Sequence, residues 1–194
     1  MSLSETTKPQ RGHPSPMMFI SLGIGTVVAI ALIVVVSVLT GGKVTSNNGL
    51  PTSDLQGHKV ATFSQSGLVS GTVRAPWSQG HPSVLLFFAS DCTPCRAEMP
   101  KVANYVKSHD LGRVTVLGVD AEGSRSAGQG FIRQVHATFP VVFDPNFQIT
   151  AGIFQFGQLP ESVFLNAKGV VEQVYFGAIP VKELSAGIAS LNNA

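Results

Sequence analysis

The stretch SVLLFFASDCTPCRAEMP, residues 83–100, decides the fold of this 194-residue chain. Its first part, residues 83–89, is an almost continuous apolar run of the length of a buried strand. Beyond two cysteines, apolar residues recur at helical spacing and predict a helix over residues 93–109. The stretch therefore predicts a buried strand that passes through a short loop into a helix, which is the first half of a β-α-β unit.

Elements on both sides of this stretch complete an α/β domain. The chain after it alternates buried-strand runs with amphipathic stretches, and two short β-prone runs before it predict a hairpin. This order implies a mixed central sheet with helices on both faces. The predicted strands are residues 113–119, 141–143, 162–165 and 170–175, the hairpin strands are residues 60–63 and 68–73, and the other predicted helices are residues 130–136, 148–154 and 181–191.

The two cysteines of the chain, Cys92 and Cys95, stand where the strand passes into the helix. The first turn of a helix stabilises an anion, so a thiol placed there becomes a nucleophile near neutral pH. The two intervening residues allow the second thiol to reach the first and close a small disulfide. Cys92 is the expected attacking sulfur and Cys95 the resolving one. A bridge this short constrains the unfolded chain little, which favours a redox role over a structural one.

Charge and ligand spacing exclude other classes of function. The chain has 13 Lys and Arg against 11 Asp and Glu, with no basic block, so nucleic acid is not expected as a partner. Its five histidines are scattered singly, which does not fit the ligand spacing of a zinc site. We therefore expect no metal and no cofactor.

An apolar segment near the N-terminus predicts a membrane anchor. Residues 17–40 are 24 consecutive residues without a charge, and a helix of that length spans roughly 36 Å. A cleaved signal peptide is the alternative, although the apolar core is long and the following residues form a poor cleavage site. Residues 41–56, rich in Gly, Ser, Asn and Pro, have the composition of a linker. The folded domain is then residues 57–194.

Charges around this segment predict its orientation. Lys8 and Arg11 precede it, whereas Lys43 is the one basic residue that follows closely. The positive-inside rule then places residues 1–16 in the cytoplasm. The expected protein is a single-pass protein of the cell membrane, with its cysteines on the extracytoplasmic side.

Four stretches carry a resemblance to a known family. The domain resembles the membrane-anchored, thioredoxin-like thiol-disulfide oxidoreductases of the TlpA/ResA type, over residues from about Val60 to the C-terminus. This resemblance implies a thioredoxin fold with an extra N-terminal hairpin. The stretches are LLFFASDCTPCRAEMP at 85–100, VTVLGVD at 114–120, FPVVFD at 139–144 and LPESVFLNAKGVV at 159–171.

The resemblance also implies roles for two residues outside the cysteine motif. Pro160 matches the cis-proline that faces the cysteines and helps to hold a partner's chain, although an ordinary trans loop proline is the simpler alternative. Leu159 would offer its backbone to an extended peptide at the same place. Asp91 precedes Cys92, and Thr93 and Pro94 lie between the two cysteines. These three residues complete the predicted partner-binding surface.

Glu98 lies three residues after Cys95, on the same face of the predicted helix. It matches the family's helix glutamate, for which a role in relaying protons to the buried thiol is implied. A solvated helix carboxylate is an equally good interpretation of Glu98. Both interpretations stay open at the level of sequence.

Two positions depart from what related proteins carry. Asp91 stands where the family usually has Trp, and Leu86 stands where cytoplasmic thioredoxins keep a buried acid. A carboxylate beside Cys92 would repel its thiolate, which would make the disulfide harder to reduce. Asp91 therefore favours a reductant over an oxidant.

The resulting functional hypothesis is an extracytoplasmic reductase of disulfides in exported proteins. The resemblance suggests the haem-attachment cysteines of apocytochrome c as one substrate and a transmembrane electron donor as the source of electrons. A disulfide-donating oxidase is the main alternative.

Two further alternatives fit the residues less well. A peroxiredoxin-like peroxidase needs Thr and Pro where this chain has Ala89 and Leu85. A Sco-like copper chaperone needs one more residue between its cysteines and a downstream histidine, for which His136 is the candidate.

Overall fold

The computed structural model describes residues 54–121 and 124–194. The predicted tail and anchor, and most of the predicted linker, lie outside the described residues. No helix in these two ranges is long and apolar enough to cross a membrane. At the start of the first range, the Gln56 side chain donates a hydrogen bond to the Glu172 carbonyl, and Leu55 packs against the core.

A five-stranded mixed sheet forms the centre of the domain. Its strands are β3 Ser83–Phe88, β4 Thr115–Asp120, β5 Val141–Phe143, β6 Glu161–Leu165 and β7 Val171–Phe176. Their order in the sheet is β5-β4-β3-β6-β7, with β3 parallel to β4 and antiparallel to β6. The fully buried β3 lies in the middle of the sheet, as its apolar sequence predicts.

Three α-helices, α1 Thr93–Ser108, α2 Arg125–Gln134 and α3 Val181–Asn192, pack on the sheet. Their buried hydrophobic side chains all join one apolar cluster, which also contains the side chains of Val84 and Phe88. The opposite face carries Leu85 and Phe87 and is covered by a 3-10 helix, Pro76–Gln79, and by turns. The mixed sheet flanked by helices is therefore confirmed. Among the described residues, however, the α-helices pack on one face of the sheet, and the 3-10 helix and turns cover the other face.

The N-terminal hairpin exists, with strands displaced from the predicted ones. Its strands are β1 Ser64–Ser66 and β2 Thr72–Arg74, paired antiparallel. Leu68, predicted to lie in the second strand, instead occupies the connection, where its N–H donates to the Val141 carbonyl. The hairpin tip therefore docks on the edge strand β5, and burial of Leu68 rather than β propensity sets the register.

The predicted helix over residues 148–154 is wrong, because this segment forms a series of hydrogen-bonded turns. The buried Asp144 carboxylate accepts hydrogen bonds from the backbone N–H groups of Ile149 and Thr150 and from the Thr150 hydroxyl. Such side-chain hydrogen bonds offer the backbone an alternative to a regular helix. The turns bury Ile149 and Phe154 against the second face of the sheet.

Candidate active site

Cys92 and Cys95 are joined by a disulfide at the start of α1. Cys92 is the N-cap residue, and its Sγ accepts a hydrogen bond of 3.2 Å from the backbone N–H of Cys95. Pro94, which lacks an N–H, sits in the first turn, where the helix leaves that donor unpaired in any case. The sequence therefore builds a helix terminus at which the backbone N–H of Cys95 donates to the sulfur of Cys92.

The two sulfurs differ in their access to solvent. Cys92 is half-buried, whereas Cys95 is 0% exposed and belongs to the apolar cluster between α1 and the sheet. An incoming sulfur can therefore approach Cys92 but not Cys95. A negative charge on Cys92 would also be stabilised by the N-terminus of α1. Both features support the predicted order of attack.

The Leu159–Pro160 peptide bond is cis, as the resemblance implies. Glu161, the next residue, is the Cα partner of Phe87 in the antiparallel pair β3 and β6. Because Pro160 precedes β6 and the loop to Cys92 follows β3, both leave the sheet at the same end. Leu159 is half-buried at this end, where its backbone could meet a partner's chain.

Glu98 is a buried carboxyl group, 5% exposed, one turn after Cys95 on α1. A hydrogen bond with the Ile179 backbone holds the group, and its Oε2 has no hydrogen-bond partner among the described residues. Burial raises the pKa of Glu98 to about 7, against the opposing effect of the Ile179 hydrogen bond. The interpretation of Glu98 as a solvated helix carboxylate is therefore wrong. A proton-relay role stays a prediction.

The residues next to the cysteines are exposed to solvent. They are Asp91, Thr93 and Pro94, and their contact with a partner stays a prediction. The Arg96 guanidinium donates a 3.0 Å hydrogen bond to the Ser90 carbonyl and so ties the loop before Cys92 to the helix after it.

The residues behind the alternative functions lie as follows. Ala89 and Leu85 are buried apolar residues that stand in place of the Thr and Pro of the peroxidase motif. His136 lies beyond the end of α2 at a φ of 55°, not on a helix face. Among the described residues, no group of three or more His, Cys, Asp or Glu could hold a metal ion.

Glu161 is a buried acid that the sequence reasoning missed. It is 4% exposed at the first position of β6, and burial raises its pKa to about 7. It also lines a cavity of about 570 Å³ together with Leu159 and Pro160. In the sequence, Glu161 is a single acidic residue between Pro160 and an apolar run. The predicted strand began at residue 162 and therefore did not include Glu161.

A mixed sheet with a disulfide-bonded Cys-x-x-Cys at a helix N-terminus, and a cis-proline at the same end, defines a thioredoxin-like protein with a redox-type dithiol site. Comparison with protein families agrees, because residues 56–174 match the AhpC/TSA family. The chain therefore belongs to the AhpC/TSA family.

Two similar proteins are named thiol-disulfide oxidoreductases. The thiol-disulfide oxidoreductase ResA of Oceanobacillus iheyensis is 28% identical over 113 residues, which cover 58% of this chain and 58% of ResA. The sporulation thiol-disulfide oxidoreductase A of Bacillus subtilis is 28% identical over 110 residues, covering 55% of this chain and 66% of the relative. The chain thus spans less than two thirds of the length of either relative.

A solved structure supports the same fold. The crystal structure of StoA from Bacillus subtilis is 25% identical and superposes with a TM-score of 0.59. The superposition covers 66% of this chain and 96% of StoA. The predicted thioredoxin fold of the C-terminal domain is confirmed.

Proposed function

We propose that this chain is a thiol-disulfide oxidoreductase that reduces disulfides of exported proteins. The observation that carries the proposal is the asymmetric pair at the start of α1, with an accessible Cys92 and a buried Cys95. The names of the similar proteins support the same reaction class.

The reaction follows from this asymmetry. The Cys92 thiolate attacks one sulfur of a partner's disulfide, which forms a mixed disulfide and releases the partner's other sulfur as a thiolate. Cys95 then loses its proton and attacks Cys92 Sγ, which forms the Cys92–Cys95 disulfide and releases the partner's second thiolate. Two electrons pass from the dithiol to the partner, and protons from the thiols and solvent complete its two thiols. Glu98, buried one turn from Cys95, is the proposed acceptor of the Cys95 proton.

Substrate and location rest on the sequence. The apolar segment at residues 17–40 and the charges beside it support a domain held on the extracytoplasmic face of the cell membrane. A dithiol in that position needs a transmembrane electron donor after each turnover. The TlpA/ResA resemblance supports cytochrome c maturation as the setting. A disulfide-donating oxidase is the second candidate, because the same cysteine pair can run the exchange in reverse.

A deletion tests the assigned boundary. Removal of residues 1–43 should leave a soluble, monomer-sized protein with its insulin-reducing rate within about twofold of the full chain, because the deletion ends well before Leu55, which packs against the core. Size-exclusion chromatography and turbidity of reduced insulin measure the two properties. A truncated protein that precipitates or loses the activity would contradict the boundary.

The exchange of Asp91 for Asn tests the argument for a reductant. Because Asp91 is exposed, its repulsion of a thiolate about 6 Å away is close to the aqueous value of roughly 0.7 kcal/mol. We expect Asp91→Asn to lower the pKa of the Cys92 thiol and to make the couple more oxidising by about 15 mV. Thiolate absorbance across pH and a redox titration measure these changes. An unchanged or higher pKa of the Cys92 thiol would show that Asp91 does not repel the thiolate.

A further inference from the structure

Glu161 lies among aromatic side chains on the sheet face opposite the α-helices. Its Cα partners are Phe87 in β3 and Phe176 in β7, and side chains of paired residues point to the same face. The Phe156 ring lies 5.0 Å from the ring of Phe87 and 6.4 Å from the ring of Phe176, centroid to centroid. Phe156 therefore extends across the position of Glu161 between its two strand neighbours.

The carboxyl group of Glu161 is short of partners among these side chains. The residue is 4% exposed, and its Oε2 has no hydrogen-bond partner among the described residues. An unpaired buried carboxylate is costly, so such groups in native proteins require an explanation. The raised pKa of Glu161 has the same cause, because burial disfavours the charged form.

A cavity lies beside Glu161 and the predicted partner-binding loop. It measures about 570 Å³ and is lined by Phe156, Leu159, Pro160, Glu161 and Phe176, among other residues. Leu159 and Pro160 lie at the end of the sheet from which the chain also runs to Cys92. A peptide held along Leu159 with its sulfur at Cys92 would therefore pass the cavity.

We propose that this cavity binds a lysine or arginine side chain of the partner, with the Glu161 carboxylate as its counter-charge. The inference rests on the proposed function, because it places a specificity subsite beside the Cys92–Cys95 pair. A carboxylate framed by aromatic rings suits an ammonium or guanidinium group, since the ring faces also attract cations. An anionic side chain would be repelled, and an apolar one would leave Oε2 unpaired. The enzyme then prefers partners with a basic residue near the reacting cysteine.

Matched peptides test this preference on the full-length chain in a mild detergent. Each peptide carries one cysteine as a mixed disulfide with 2-mercaptoethanol and has lysine, norleucine or glutamate at the flanking positions. Rates with the reduced enzyme are divided by the rate of the same protein with hydroxyethyl disulfide, so that general changes in cysteine reactivity cancel. We expect lysine peptides to react about tenfold faster than norleucine peptides, as for one charge-assisted hydrogen bond, and glutamate peptides to react more slowly.

Two variants assign the preference to one carboxylate. Glu161→Gln keeps the shape of the side chain and should bring the ratio of lysine to norleucine rates close to one. Glu172→Gln, which removes an exposed carboxylate from the same strand as Phe176, should keep the wild-type ratio and the wild-type rate with hydroxyethyl disulfide. Thermal unfolding verifies that both variants are folded.

The outcomes separate this inference from the proposed function. Equal lysine and norleucine rates in the wild type would overturn the subsite, even if Glu161→Gln did not fold. A wild-type ratio retained in folded Glu161→Gln would also overturn it. In either case, reduction of hydroxyethyl disulfide would still support the oxidoreductase. A wild-type chain that does not reduce hydroxyethyl disulfide would overturn both proposals.

Discussion

Replacement of Cys92 by serine is expected to abolish disulfide reduction, with a loss of roughly a thousandfold or more. Cys95 cannot substitute for it, because its sulfur is 0% exposed and a partner cannot approach it. Cys95→Ser should instead leave Cys92 able to attack and should accumulate long-lived mixed disulfides, since no resolving thiol remains. Initial rates of insulin reduction measure the first effect. Non-reducing electrophoresis with mass spectrometry of the adducts measures the second.

The double variant Cys92→Ser/Cys95→Ser provides the background for both assays. Equal trapping by the two single variants would contradict the order of attack assigned from burial. Trapping by Cys92→Ser alone would also contradict this order, because the buried sulfur of Cys95 would then be the one that reacts with the partner.

Glu98 should make the oxidised protein less stable as the pH rises from about 4.5 to about 7. Burial raises its folded-state pKa to about 7, whereas the ordinary value is 4.5, so between these values the folded state holds a proton that the unfolded state has lost. Stability therefore falls with pH in this window and levels off above it. The fall from a group shifted this far is at most about 3 kcal/mol. Glu98→Gln should remove that part of the fall and raise the free energy of unfolding above pH 7.

Denaturant unfolding at several pH values between 4.5 and 8 measures this effect. Glu161 causes a second loss of stability as the pH rises over the same range, because burial raises its pKa to about 7 as well. Each single variant should therefore remove only part of the pH dependence, and Glu98→Gln/Glu161→Gln should remove most of it. Glu172→Gln is the matched control for loss of an exposed carboxylate. A Glu98→Gln profile parallel to that of the wild type would refute the buried, protonated Glu98.

Hydrophobic pattern predicted the centre of this fold well. The apolar run that became β3 and the periodic stretch that became α1 are the two signals that depend least on distant residues. The strand β5, Val141–Phe143, was predicted with its bounds. The hairpin was displaced because docking of Leu68 on β5 is a long-range contact that local β propensity does not report.

Chemistry predicted the disulfide-forming pair Cys92 and Cys95, whereas the family resemblance alone predicted the cis bond before Pro160. Burial decided between the two interpretations of Glu98. An acidic residue three positions after a cysteine can lie equally well on a solvent-exposed or on a buried face of the helix. Glu161 could not be recognised, because its environment comes from Phe87, Phe156 and Phe176, which are far apart in sequence. Strand register places Phe87 and Phe176 beside Glu161, and the segment between β5 and β6 adds the ring of Phe156.

The equilibrium potential of the Cys92–Cys95 couple tests the reductase most directly. The protein is equilibrated with glutathione or dithiothreitol buffers of graded ratio, and the fraction of disulfide is read by alkylation of the free thiols. We expect one two-electron transition with a potential near or below about −230 mV, in the range of reducing dithiols. A potential near about −120 mV, the value of a strong disulfide donor, would contradict the proposed reductase.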